Sequence, residues 1–184
     1  TKDDDFAEQL FITNNHNYLL FFTNKGKVYW LKAYKLPAAS RYSKGKAIVN
    51  LLNVEKDEKI SNVLPIQAFD DRHFLLFATK KGIIKKTSLM EYSNPRKAGI
   101  AAINLIKDDE LIKVRLTPGT LKMILGTKEG MAVKFDEKDV RNMGRKATGV
   151  RGVRLDKNDE VIGLEVARVD ASLLTITENG YGKR

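Results

Sequence analysis

Ten basic side chains fall in three short windows of this 184-residue chain, and no acidic residue shares those windows. Arg41, Lys44 and Lys46 lie in "SRYSKGK", Arg96 and Lys97 in "SNPRKAG", and Arg141, Arg145, Lys146, Arg151 and Arg154 in "RNMGRKATGVRGVR". Side chains of this type, gathered without a general base or a metal ligand beside them, do one thing well: they neutralise a polyanion. The chain holds 33 Lys+Arg against 23 Asp+Glu, a formal charge of +10, so the ten account for the whole excess. The phosphate backbone of duplex DNA, dense in charge and regular in spacing, fits such a set of cations. Glycines in the third window, Gly144, Gly149 and Gly152, free the backbone for close approach but supply no side chain to read a base edge. Affinity with little sequence specificity is the expectation.

Other chemistry finds no support. The chain has no cysteine, which excludes disulfides, a thiolate nucleophile and cysteine-ligated zinc. His16 and His73 are its two histidines, without a partner motif, and read as loop or strand-end residues. The acidic turns "EKDE", "KDDE" and "DKNDE" lack the spacing of a calcium loop and read as turn formers. "GTKEG" and "GVRG" are not followed by Gly-Lys-Ser/Thr, as a nucleotide phosphate loop requires. Tyr29, Trp30 and Phe135 read as packing residues. The chain is therefore expected to be no enzyme on its own, with no cofactor and no small-molecule substrate. Its 42% hydrophobic content is that of a globular protein. No apolar run approaches the ~20 residues that span a bilayer, and "TKDDDF" is not a signal peptide. A cytoplasmic setting without a membrane partner is expected.

The elements that hold the basic windows repeat. "LLFFTNKG", "LLFATKKG", "MILGTKEG" and "LLTITENG" each set Thr-x-x-Gly after an apolar stretch, with glycines 26, 82, 130 and 180 spaced by 56, 48 and 50 residues. A second anchor, "GKAIVNL", "GIAAINL" or "GVRGVRL", begins 19, 17 and 19 residues after the first three turn glycines. A third is acidic and then aliphatic, at Asp57 to Ile60, Asp109 to Ile112 and Asp159 to Ile162. Each cycle reads as four short strands. The first ends in the glycine turn, and the second is "KVYWLK", "IIKKTS" or "MAVKFD", rich in strand formers. A long loop, which carries the basic window, leads to a third of the "AIVNL" type. The fourth follows the acidic turn. "SLMEYS" and "EKDVRNM" are at best single helical turns. The fold class is thus all-β, a propeller-like array of four-stranded blades. We divide the single domain, 1–184, into repeats 19–74, 75–122 and 123–172 with partial repeats 1–18 and 173–184. "DDDFAEQLFITNN" reads as an isolated fourth strand, so the chain is expected to hold a partial set of blades. Equivalent loops on a regular array fall on one track, segregated from the acidic turns.

The strings "VYWLKAYKLPAASR", "KAIVNLL", "ATGVRGVRL" and "ITENGYGKR" closely resemble the C-terminal domain of DNA gyrase A, over essentially the whole chain. The resemblance implies a β-pinwheel, whose blades exchange strands with their neighbours and whose basic perimeter wraps DNA. It implies that the ten basic residues lie along that path, and that the partners are duplex DNA, the catalytic core of gyrase A, and gyrase B. ATP and Mg2+ would serve other domains of the holoenzyme, where the catalytic tyrosine also resides. The family's box of the type Gln-Arg-Arg-Gly-Gly-Arg-Gly does not occur here; "SRYSKGK" looks like a degenerate relative. Two other readings stay open: the related domain of topoisomerase IV, and an interaction propeller for an acidic protein.

Overall fold

The Thr-x-x-Gly turns decide where the chain reverses. In all four, the glycine N–H donates to the threonine carbonyl: Gly26 to Thr23 (2.9 Å), Gly82 to Thr79 (3.0 Å), Gly130 to Thr127 (3.1 Å) and Gly180 to Thr177 (2.9 Å). The threonine hydroxyl then accepts the N–H one residue beyond the glycine, at 3.1 to 3.3 Å. Each glycine has φ between 76° and 86°, a region L side chains avoid. Threonine supplies the acceptor and glycine the backbone, which is why the pair recurs.

The computed structural model describes residues 9–40 and 43–184. Its strands are β1 (Tyr18–Thr23), β2 (Lys27–Lys32), β3 (Ile60–Ile66), β4 (Phe74–Thr79), β5 (Ile83–Ser88), β6 (Ile100–Ala101) and β7 (Leu111–Thr117). They continue with β8 (Lys122–Thr127), β9 (Ala132–Asp136), β10 (Val150–Arg151), β11 (Val161–Val166), β12 (Thr175–Ile176) and β13 (Gly182–Lys183). Helix among the described residues is confined to short 3-10 turns, two of them at Leu89–Tyr92 and Glu137–Asp139 inside the two expected stretches. The all-β class holds.

The sheet orders are β3-β1-β2-β6, β10-β5-β4-β7 and β11-β8-β9, with a β12-β13 hairpin after them. The first strand of a repeat lies between the second and the fourth and pairs with both. The third does not join them: β6 pairs with β2, Lys27 opposite Ala101, and β10 pairs with β5, Val150 opposite Ile84. Each third strand thus completes the sheet of the repeat before its own, at only two residues' length. In the first repeat the corresponding stretch forms no strand; Ile48–Asn50 is a 3-10 turn. Residues 9–14, expected as a fourth strand, are irregular as well. A strand of this kind exists only where a neighbour offers an edge, and neither stretch pairs with one among the described residues.

β4 is buried on both faces because sheets stack on both sides of the middle one, and β1 because the middle sheet covers one face and the stretch with Ala33, Ile48 and Leu52 the other, which explains their unbroken apolar runs. Leu20, Phe22 and Val28 of the first sheet pack on Leu75, Phe77 and Leu89. Leu76, Ala78 and Ile84 pack on Met123, Leu125 and Leu164. Phe22 meets Phe77 edge to face, centroids 5.8 Å apart, a favoured aromatic geometry.

Candidate nucleic-acid interface

The second and third basic windows lie in and beside the loops that feed the exchanged strands, and the first precedes the 3-10 turn that stands in that place. Arg96 and Lys97 are exposed in the turn before β6, where the Arg96 carbonyl accepts the Gly99 N–H at 2.9 Å. Gly99 has φ +70°, and a Cβ there would stand 2.7 Å from the Tyr29 ring. Arg141 and Lys146 are exposed in the loop before β10; Arg151 is exposed within β10 and Arg154 just after it. Lys44 and Lys46 are exposed ahead of the Ile48–Asn50 turn. Arg41 lies outside the described residues.

Arg145 differs from the rest. It is half-buried, and its guanidinium donates to the Ala101 carbonyl of β6 at 2.9 Å. Close by, the Asn104 N–H donates to the Ala147 carbonyl at 3.3 Å. The basic loop of one repeat therefore rests against the exchanged strand of the previous one.

The acidic residues take a different part. Asp109 accepts the N–H groups of Lys81 and Glu110, both at 2.9 Å, and Asp159 those of Glu129 (3.1 Å) and Glu160 (2.8 Å). They brace the hairpin tips, as turn formers should. Six lysines and arginines outside the windows pair with carboxylates, among them Lys27 with Glu55 and Glu58, Lys80 with Glu160 at 2.9 Å, and Arg115 with Glu165. Among the described residues, none of the nine basic window residues has a carboxylate oxygen within 4.0 Å. Lys80 and Lys128 at the hairpin tips share Glu160; the window cations have no such partner.

Two lysines carry roles that the sequence reading missed. "IIKKTS" alternates badly for a half-exposed strand, and that was the available signal. Lys86 is buried and donates to the Glu137 carbonyl at 2.8 Å. Trp30, at the same place in the first repeat, donates its indole N–H to the Tyr92 carbonyl at 3.0 Å. Lys85 is wholly buried; its Nζ donates to the Ala102 carbonyl at 2.6 Å and to the Arg145 carbonyl, and stands 5.0 Å from the centre of the Phe77 ring. Burial, and secondarily the Arg145 charge, lowers its pKa to about 7. Tyr92 donates to the same Ala102 carbonyl at 3.0 Å, and burial raises its pKa well above the ordinary value.

His16 sits in an exposed turn and His73 pairs with Asp70 at 2.8 Å. Among the described residues no group of three His, Cys, Asp or Glu could hold a metal ion, and no helix is long and apolar enough to cross a membrane.

The model of the DNA gyrase C-terminal domain, a β-propeller, matches residues 17–67, 73–118, 122–168 and 171–184. The chain belongs to the DNA gyrase C-terminal domain family. A DNA gyrase A protein from Buchnera aphidicola is 48% identical to it over 184 residues, all of this chain and 22% of that protein. The chain thus spans about one fifth of the length of the curated relatives it matches. A crystal structure of the C-terminal domain of DNA topoisomerase IV superposes with TM-score 0.85 at 34% identity, covering 93% of this chain and 54% of that one. A DNA gyrase A C-terminal domain superposes at 0.76 and 29% identity, covering 92% and 54%. Membership in the gyrase C-terminal domain family and the propeller-like fold agree with the repeats and with the exchanged sheets.

Proposed function

We propose that this chain binds duplex DNA through its phosphates, with little sequence preference, and bends it. In this reading it is the non-catalytic wrapping domain of a gyrase A protein. It supports ATP-dependent negative supercoiling by a holoenzyme that also contains the catalytic core of gyrase A, and gyrase B. Hydrolysis of ATP, Mg2+ binding and strand cleavage belong to those other parts. The observation that carries the reading is the gathering of charge: eight exposed cations of the basic windows have no carboxylate oxygen within 4.0 Å among the described residues, whereas Lys80 and Lys128 at the hairpin tips both pair with Glu160. Free cations release the counterions condensed on DNA, and that release drives binding. Their spacing along adjoining exchanged strands favours a continuous track over isolated contacts.

Binding measured by fluorescence anisotropy tests this. With about two phosphates engaged by each of three loops, log K falls against log[salt] with a slope near −5. Replacing Arg141, Lys146 and Arg151 by alanine should weaken binding to unrelated sequences equally and make the slope shallower. Salt-independent binding would sink the reading.

The higher TM-score to the topoisomerase IV domain favours a second reading, in which the chain binds DNA but serves that enzyme. Fixing of superhelical turns of one hand in a relaxation assay, by the longer protein that carries this chain, supports the gyrase role; its absence supports the other.

A further inference from the structure

The loop from Arg141 to Gly149 carries the densest positive charge of the exchange loops, yet few backbone bonds hold it. At one end the Met143 N–H donates to the Lys86 carbonyl at 2.8 Å. At the other, Val150 and Arg151 pair with Ile84 and Ile83. Between these ends one backbone bond reaches the loop from outside, from the Asn104 N–H to the Ala147 carbonyl at 3.3 Å, and side chains add the rest. The Arg145 guanidinium reaches out to the Ala101 carbonyl, and Lys85 reaches up from beneath to the Arg145 carbonyl. The same ammonium holds the Ala102 carbonyl, so one buried group joins β5, the exchanged strand beside it and the basic loop.

We infer that Lys85 is a positioning residue for the phosphate-binding loop: by clasping the carbonyls of Ala102 and Arg145 it sets where Arg141 and Lys146 stand. The inference rests on the DNA-binding reading above. Lys85 cannot itself touch DNA, because its side chain is wholly buried. Nothing in the repeat requires a lysine here. The equivalent residue three beyond the turn glycine is Tyr29 in the first repeat and Val133 in the third. Burial of an amine beside Arg145 is unfavourable for its charged form, as its lowered pKa records. A group that weakens packing at this place, yet fastens the most basic loop, is explained by the loop.

The test pairs stability with binding. Lys85→Met keeps the length of the side chain and removes the amine. Replacing a buried ionisable group by an apolar one is often neutral or stabilising, so its thermal midpoint should match or exceed wild type. Its affinity for duplex DNA should nevertheless fall three- to tenfold, with a salt slope shallower by about 2 as two phosphate contacts are lost. In an Arg141→Ala/Lys146→Ala background Lys85→Met should change affinity no further, which a merely structural role does not predict. Wild-type affinity in Lys85→Met, or an equal loss in the neutralised background, would overturn the inference. Amide hydrogen exchange at Ala147, whose N–H donates to the Gly144 carbonyl at 3.0 Å, reads loop position without DNA and should quicken at least tenfold in the variant; unchanged protection overturns the positioning role even if DNA binding itself stands. A wild-type chain that fails to bind DNA overturns the parent reading, and the inference with it. If Lys85→Met does not fold, Lys85→Gln, whose head is too short to reach both carbonyls, takes its place in every arm. Failure of both to fold makes Lys85 a folding residue and overturns the inference as well.

Discussion

Tyr29 and Lys85 hold the same place in successive repeats, and both are wholly buried beneath an exchanged strand. Tyr29 lies under Gly99 and donates its hydroxyl to the Glu58 carboxylate of its own repeat at 2.8 Å. Lys85 donates instead to two carbonyls outside its own sheet strands, one on each of the segments that cross over it. The first junction is closed by ring packing with a satisfied hydroxyl, the second by a buried amine. One topology therefore tolerates two fastenings. What the repeat demands is that this place be filled; what fills it is free to serve a local purpose.

The sharpest break in that comparison is at the glycines. Gly149 has φ +113°, and a Cβ there would lie 2.5 Å from the Ile84 carbonyl oxygen. Gly149→Ala should cost about 3 kcal/mol or more, since strained backbone and a clash with main chain add. Gly130 has φ +86° but open space around it, so Gly130→Ala should cost only the ~1–2 kcal/mol of a left-handed residue. Urea midpoints at constant m-value measure both; equal losses would mean that the exchanged strand does not press on β5.

Next is the Tyr29 hydroxyl. Tyr29→Phe leaves a buried carboxylate short of a donor and should cost about 1.5–3 kcal/mol. Lys85→Met should cost nothing at neutral pH. If the two lose stability alike, the buried amine stabilises the second junction as the hydroxyl stabilises the first.

The smallest effect per step is the pH dependence. In the unfolded chain Lys85 titrates near its ordinary value of 10.5, and in the folded chain at about 7. Between those values the unfolded state binds the extra proton, so folding stability rises with pH across this window, by up to ~1.4 kcal/mol per unit. Below pH 7 both states are protonated and the contribution is flat. Denaturant titrations from pH 7 to 9.5 should show this rise in wild type and lose it in Lys85→Met, while Tyr29→Phe keeps it. A parallel course for wild type and Lys85→Met would mean that the amine is solvated.

The turns were legible because their cause is local. Threonine hydroxyl, glycine φ and the intervening bond all lie within five residues, so four copies of Thr-x-x-Gly identify four hairpin tips. The acidic turns were legible for the same reason. The basic windows were legible as charge, and most of their residues are indeed exposed. Arg145 was not separable from Lys146, its neighbour, because only the carbonyl of Ala101, 44 residues away in sequence, tells them apart.

By itself the sequence determined the repeat, the strand-forming segments, the positive charge and its place in the cycle, all of which follow from residue type and spacing. The tertiary structure alone decided which sheet each third strand would join. Pairing energy depends on the edge presented, and Ala101 finds Lys27, not a strand of its own repeat. It also decided that Lys85 and Lys86 would be buried. A strand stacked on both faces leaves neither parity of side chain in water, and no local pattern records that a second sheet will cover the first.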